Sequence, residues 1–335
     1  MVGGVKSTGL FLYMSKKSDS SEEREGLIGD LADAINKMSS KTGEGKVAYF
    51  LDQKEDPSMI TDWISTGSTL LDLAISNRKN GGVPVGRITE LQGLEAAGKS
   101  LVAAHLLAET QKKGGVAVFI DTEQSISTDF LEAIGVDLVT PGKKLMYINT
   151  NVVENIFEYI ESIIARTRAK QSNTLITIVV DSLSAASCKT EQESEHGKDG
   201  YATSKAIIIS KAMRKINSMI GKQRVALVFT SQLRANLQAS MFGDKYVTSG
   251  GKALAFHASV IVRLKKIGSL KIKSYDTDLH VGVKSRATVT KNRLGPPMRT
   301  ADFNVLFDRG IDNYASWIDV MKKFKIIRGE RSPYT

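Results

Sequence analysis

Residues 88–100 read Ile-Thr-Glu-Leu-Gln-Gly-Leu-Glu-Ala-Ala-Gly-Lys-Ser, a strand-like run followed by the octet Gly93, Leu94, Glu95, Ala96, Ala97, Gly98, Lys99 and Ser100. Two glycines separated by four residues, then lysine and a hydroxyl, is the spacing of a loop that cradles phosphates. The glycines let the backbone curl so that successive N–H groups point inward, and a following helix adds the positive end of its dipole. Lys99 is then placed to reach the β- and γ-phosphates and Ser100 to ligand Mg²⁺. The octet predicts binding of a nucleoside triphosphate, with ATP and Mg²⁺ as the expected ligands.

Transfer of a phosphoryl group to water needs, besides the cradle, a metal, a group that orients the water and a late positive charge. The strand expected over 175–181 ends in Asp181, where α/β sheets place their ligands, and Asp181 is expected to hold the Mg²⁺ shell through water. The strand over 116–121 ends in Asp121-Thr-Glu123. Glu123 is the expected general base; Asp121 is the competitor, with bonding to the backbone of the turn as its alternative role. A third strand, 225–230, leads to Gln232, a candidate sensor of the γ-phosphate that passes its state to residues 233–251. That segment is too long and polar for a tight connection, and long loops in compact domains are usually functional. It interleaves Arg234, Lys245 and the aromatic or soft groups Met241, Phe242 and Tyr246, which can wedge between or stack on bases. Residues 188–200, rich in Glu, Gln, Ser and Gly, form a second such loop; plain surface is the competing reading of both.

The elements that must position these groups alternate. Strands are expected at 88–92, 116–121, 145–149, 175–181 and 225–230, with helices at 99–112, 153–168 and 201–219 between them, which implies a parallel sheet covered by helices. Beyond residue 251 the strands at 260–265, 280–292 and 301–307 come without helices, so the sheet should extend antiparallel. Before the core, Leu27, Ile28, Leu31, Ala32, Ala34, Ile35 and Met38 fall on one helical stripe, predicting a helix over 23–38, and a strand follows near 47–51. The expected organisation is a disordered or tag-like tail (1–22), a helix–strand docking arm with its linker (23–62), an ATPase core (63–312) and a short C-terminal piece (313–335). Met14-Ser-Lys-Lys reads as an ordinary protein start, so residues 1–13 are expected to be a tag or to follow from a mis-called start.

The chain has 335 residues, enough for a full core, and no apolar stretch near the roughly 20 residues that span a bilayer. A cytoplasmic protein without membrane attachment is expected. One cysteine, Cys188, excludes an internal disulfide, and the four histidines lack metal-site spacing. The net charge of +10 is uneven: residues 252–335 carry 17 Lys and Arg against 7 Asp and Glu, while the rest balances at 29 against 29. A basic block of that kind suits a polyanion such as nucleic acid.

Taken together the motifs resemble the RecA recombinases, ATP-dependent filaments on single-stranded DNA. The resemblance spans about residues 23–312 and rests on Ile64-Ser-Thr-Gly-Ser-Thr-Leu-Leu-Asp72, Gly82-Val-Pro-Val-Gly-Arg-Ile88, the phosphate loop, Phe119-Ile-Asp-Thr-Glu-Gln124, Val179-Val-Asp-Ser182, Lys211-Ala-Met-Arg-Lys215, Ser231-Gln-Leu-Arg234, Met241-Phe-Gly243 and Thr290-Lys-Asn-Arg293. It implies a RecA-like P-loop core, an N-terminal arm that docks on the neighbouring subunit, Glu123 as the residue that activates water, and Phe130 beside the adenine. It also implies that Arg214, Arg234, Met241, Phe242, Gly250, Gly251 and Lys252 meet DNA, and that Lys291 and Arg293 cross to the adjacent subunit's ATP. The implied partners are single-stranded DNA, a homologous duplex, further copies in a helical filament, and single-strand-binding and mediator proteins. Ala255, Lys252, Ser127 and the loop residues Leu94, Ala96 and Ala97 depart from the bacterial pattern and mark a divergent member, with a phage origin left open. The chain ends at Thr335, before the small C-terminal domain and acidic tail of bacterial members, and residues 313–335 are expected to be the start of that domain. A RecA-fold helicase-type motor and a weakly hydrolysing DNA-binding filament or mediator are the alternatives.

Overall fold

The computed structural model describes residues 8–43, 45–50, 59–124, 126–170, 173–192, 201–221, 223–236, 246–248, 252–274 and 277–328. The chain divides into two compact units, Met1–Met59 and Ile60–Thr335.

In the first unit, helix α1 spans Thr8–Lys41. It overruns both ends of the expected helix and enters the segment expected to be a disordered tail. Low hydrophobicity argues against core burial, not against a local helix, and no proline interrupts residues 8–41. Leu27, Ile28, Leu31, Ile35 and Met38 of the apolar stripe are all exposed, Met38 by 70%. The strand expected near 47–51 does not form over 47–50, and Leu51 lies outside the described residues. A strand needs a partner ladder, and here a single side chain stands in for one. Asn36 Oδ1 accepts from the N–H groups of Val47 (2.9 Å) and Ala48 (2.8 Å), and Asn36 Nδ2 donates to Ala48 O (3.1 Å).

The second unit opens with β1 (Trp63–Ile64) and β2 (Val83–Pro84), an antiparallel pair flanking α2 (Thr69–Ser76). The α/β succession follows: β3 (Ile88–Gly93), α3 (Lys99–Lys112), β4 (Val116–Asp121), α4 (Thr128–Ile134), β5 (Met146–Asn149), α5 (Val153–Lys170), β6 (Ile176–Asp181), α6 (Lys189–Gln192), α7 (Tyr201–Ile220) and β7 (Val225–Ala235). It closes with β8 (Tyr246–Thr248), α8 (Lys252–His257), β9 (Val260–Ser274), β10 (Thr277–Asn292), β11 (Thr300–Leu306), β12 (Gly310–Asp312) and α9 (Asn313–Lys323). The main sheet has ten strands in the order β12-β11-β10-β9-β3-β7-β6-β4-β5, with β8 beside β7. From β9 to β5 every pairing is parallel, and β9 to β12 pair antiparallel, as the disappearance of helices after residue 251 predicts.

Two apolar clusters cover the two faces. Leu91, Val179 and Val228 pack with α2, α3 and α4 on one face; Ile88, Ile178 and Phe229 pack with α5, α7 and α8 on the other. Strands buried on both faces read as continuous apolar runs rather than alternating ones, which is how β4 and β6 look in the sequence. α9 belongs to the same unit: Asn313 Nδ2 donates to Gly67 O (2.6 Å), and Trp317 Nε1 donates to Thr69 Oγ1 (2.5 Å).

His105 of α3 ties this end of the sheet together. Its Nε2 accepts from Ile311 N at 3.1 Å. A Cβ on Gly67 or on Gly310 would stand 2.6 Å from the imidazole, so both backbones can close on the ring only as glycine. Burial pushes the His105 pKa down to about 4.

One expectation needs correction. The segment 233–251 is not wholly structureless: β7 runs on to Ala235 and pairs antiparallel with β8, Leu233 opposite Thr248, Arg234 opposite Val247 and Ala235 opposite Tyr246. The ladder satisfies backbone groups that a long polar connection would leave to water.

Candidate functional site

β3 is fully buried and delivers Gly93 to the carboxyl edge of the sheet. A Cβ at Gly93 would lie 2.9 Å from Leu264 O and 3.0 Å from Ala97 Cβ, so the loop can turn here only without one. Gly98 caps α3 in the left-handed region (φ 96°), and Ala96 shares that conformation (φ 55°), a strained one for a residue with a side chain. Lys99 Nζ reaches back to Leu94 O at 3.0 Å. Burial lowers the Lys99 pKa, while Asp181, Glu123 and Glu95 act in the opposite direction. The lysine therefore stands among the carboxylates that the sequence singles out.

The strands beside β3 bring the other groups to the same edge. Asp121 and Asp181 are cross-strand partners at the ends of β4 and β6, and Gly93 is opposite Gln232 on β7. Asp181 is buried; burial raises its pKa, while Ser100 and Thr230 donate to it and act the other way. A serine hydroxyl beside a buried carboxylate at the start of a post-loop helix is an oxygen donor set that fits Mg²⁺. Asp121 takes the turn-building role: its Oδ1 accepts from the N–H groups of Glu123 (3.0 Å) and Gln124 (2.8 Å), and Tyr147 Oη donates to its Oδ2 (3.1 Å). Gln124 is held left-handed (φ 55°) in the process. Glu123 is left exposed, its Oε1 accepting only the Ser182 hydroxyl (2.8 Å) among the bonds described. Phe130 lies on α4, half-buried, three residues past the cap Ser127.

Lys291 and Arg293 are not part of this cluster. Lys291 Nζ donates to Ala255 O (2.7 Å) and Phe256 O (3.0 Å), and Arg293 Nη2 to Phe256 O (3.0 Å). These are carbonyls at the C-terminal end of α8, where the helix dipole favours cations. α8 packs on the face opposite α3, so the pair is turned away from its own phosphate loop. Arg234 is exposed on β7 and Arg214 on α7. Lys252 opens α8, with its side chain outside the described residues; Met241, Phe242, Gly250 and Gly251 lie outside them altogether.

Three polar groups in this part of the molecule escaped the sequence reading. Ser184 and Lys205 form a chain with Ser182, and Glu90 is buried on β3, between β7 and β9. Burial raises the Glu90 pKa, opposed by hydrogen bonds from Ser231 and Gln92 and by the charges of Lys291 and Arg263. A carboxylate in the middle of the six-residue strand that leads into the phosphate loop was the available signal for Glu90. Among the described residues no cluster of His, Cys, Asp and Glu could hold a metal by itself, and no helix is long and apolar enough to cross a membrane.

The family model described as the RecA N-terminal domain matches residues 29–312. The chain is 35% identical to Protein RecA of a Nitratiruptor species over 294 residues, 88% of this chain and 79% of that one. It is 35% identical to Protein RecA of Clostridium acetobutylicum over 295 residues, covering 88% and 78%. Against Protein RecA of Trichodesmium erythraeum the identity is 32% over 323 residues, covering 96% and 82%. With the match running through the phosphate loop, both carboxylate strands and the antiparallel extension, the chain belongs to the RecA family.

Proposed function

We propose that the chain is an ATP-hydrolysing recombinase that assembles as a filament on single-stranded DNA and pairs it with a homologous duplex in the cytoplasm. The observation that carries this reading is the division of the site. Lys99, Ser100, Glu123, Asp181 and Gln232 meet at one edge of the sheet, whereas Lys291 and Arg293 face away from it. A site lacking its late positive charge is completed by a second copy that presents its own pair. Such a charge is typically worth about 10³–10⁵ in rate, so hydrolysis should follow assembly steeply.

The exposed stripe on α1 supports the same reading, since five large apolar residues left in water favour a neighbouring subunit. Within each site, the N–H groups around Gly93–Gly98 and the Lys99 ammonium would hold the phosphates, and Glu123 would orient the attacking water. Bound Mg²⁺, held by Ser100 and through water by Asp181, would offset charge developing on the phosphoryl oxygens. Gln232, opposite Gly93 and two residues before the hairpin-paired Arg234, would report the γ-phosphate to the segment 233–251. Single-strand-binding and mediator proteins are expected helpers.

The test is ATP hydrolysis with and without single-stranded DNA, for the wild type and Glu123→Gln. Strong stimulation that the variant loses is expected. Nucleotide binding without hydrolysis in either condition would refute the enzyme and favour a binding filament.

A further inference from the structure

Glu123 does not stand alone at the strand edge. Ser182 Oγ donates to Glu123 Oε1 at 2.8 Å, and the Ser184 hydroxyl is 2.8 Å from Ser182 Oγ. A hydroxyl carries one proton. With the Ser182 proton committed to Glu123, the Ser184 proton must go to Ser182, so the chain has one direction. The Ser184 backbone is anchored in turn: Lys205 Nζ donates to Ser184 O (3.0 Å) and to Ala186 O. Charge-assisted bonds from one ammonium to two carbonyls hold a turn more firmly than neutral ones would. Thr122 closes the other side, its hydroxyl donating to Ser182 O (2.8 Å).

The anchor sits on an informative helix. Lys205 is in the first turns of α7, which begins at Tyr201. Asp181, at the head of the same turn, is the expected metal-side carboxylate. A displacement of the first turns of α7 therefore moves the 183–186 turn, the serine pair and the carboxylate together, through bonds and not through diffuse packing.

We propose that Ser184 and Lys205 are positioning residues for hydrolysis: acting through Ser182 they set the direction of the Glu123 carboxylate and tie it to α7. The inference rests on the proposed hydrolysis and deepens it. Neither residue touches the nucleotide; each acts on where the water-orienting carboxylate points. Misplacement of a reacting group by about 1 Å costs on the order of 10²-fold in rate, so partial loss of the tether should cost about tenfold.

The experiment measures kcat, KM for ATP and the thermal midpoint of the full chain with saturating single-stranded DNA, for the wild type, Ser184→Ala, Lys205→Met and Lys205→Arg. The expected result is a kcat about tenfold lower in Ser184→Ala and Lys205→Met, with KM within about twofold of wild type and activity restored in Lys205→Arg. Wild-type kcat in both Ser184→Ala and Lys205→Met would overturn the proposal. So would a fall of kcat that comes with a raised KM and a lowered thermal midpoint and that Lys205→Arg fails to rescue, which is the signature of a merely structural turn. Failure of the underlying reading is distinguishable, because then the wild type itself shows no DNA-stimulated hydrolysis.

Discussion

His105 and Asp72 titrate in opposite senses in the folded core, and a substitution at either exposes the other. Burial holds the His105 pKa at about 4 against an ordinary 6.5. Between those values the unfolded chain binds a proton that the folded chain refuses, so this contribution is present above pH 6.5 and is lost as the pH falls towards 4. The difference of about 2.5 pH units corresponds to about 3 kcal/mol. Asp72 behaves inversely. Burial raises its pKa from 3.8 to about 6, against the bonds from Ser65 and Thr66, so the folded chain keeps a proton that the unfolded chain releases. Its contribution is full below pH 3.8 and is lost as the pH rises to about 6, again about 3 kcal/mol. In the wild type the two slopes offset each other between about pH 4 and 6. Guanidinium unfolding at half-unit steps, followed by the fluorescence of Trp63 and Trp317, separates them. The wild type should gain about 3 kcal/mol over His105→Gln from about pH 4 to 6.5, and should lose a similar amount relative to Asp72→Asn from about pH 4 to 6. Loss of the acceptor for Ile311 N adds a pH-independent offset to the first curve. Difference curves that stay flat with pH would show that neither group is perturbed by its burial, and the argument would fail.

Two further outcomes follow from the geometry. Gly93→Ala should weaken nucleotide binding, because the added methyl meets Leu264 O and Ala97 Cβ and displaces the loop, with about 1–3 kcal/mol of overpacking; titration with a fluorescent ATP analogue at wild-type affinity would contradict it. Leu31→Asp combined with Ile35→Asp should abolish ATP- and DNA-dependent assembly in sedimentation while each substitution moves stability by no more than about 0.5 kcal/mol, since both side chains are exposed. Retained assembly would show that the α1 stripe does not meet a neighbouring copy.

The local elements of the core were legible in the sequence because they rest on short-range physics. The octet Gly93–Ser100 encodes a turn, a helix start and a cation within eight residues, and the ends of β4 and β6 announce their carboxylates by apolar runs that stop at Asp. Periodicity likewise indicated the parallel core and its antiparallel extension. What the sequence could not decide is pairing between distant segments. The continuation of β7 into a hairpin with β8 depends on backbone partners eleven or more residues apart. The extension of α1 to Thr8 depends on local propensity prevailing where composition argued for disorder. Only the fold shows that Asp121 accepts from the N–H groups of its own turn and that Glu123 accepts from Ser182. Ser184, Lys205 and Glu90 carry no motif: their positions matter only because the tertiary structure brings α7 against the turn after β6 and buries β3 between two strands. A side chain's chemistry is fixed by its type, but its partners, its burial and hence its charge are fixed by segments far away in the chain, and those only the folded sheet brings together.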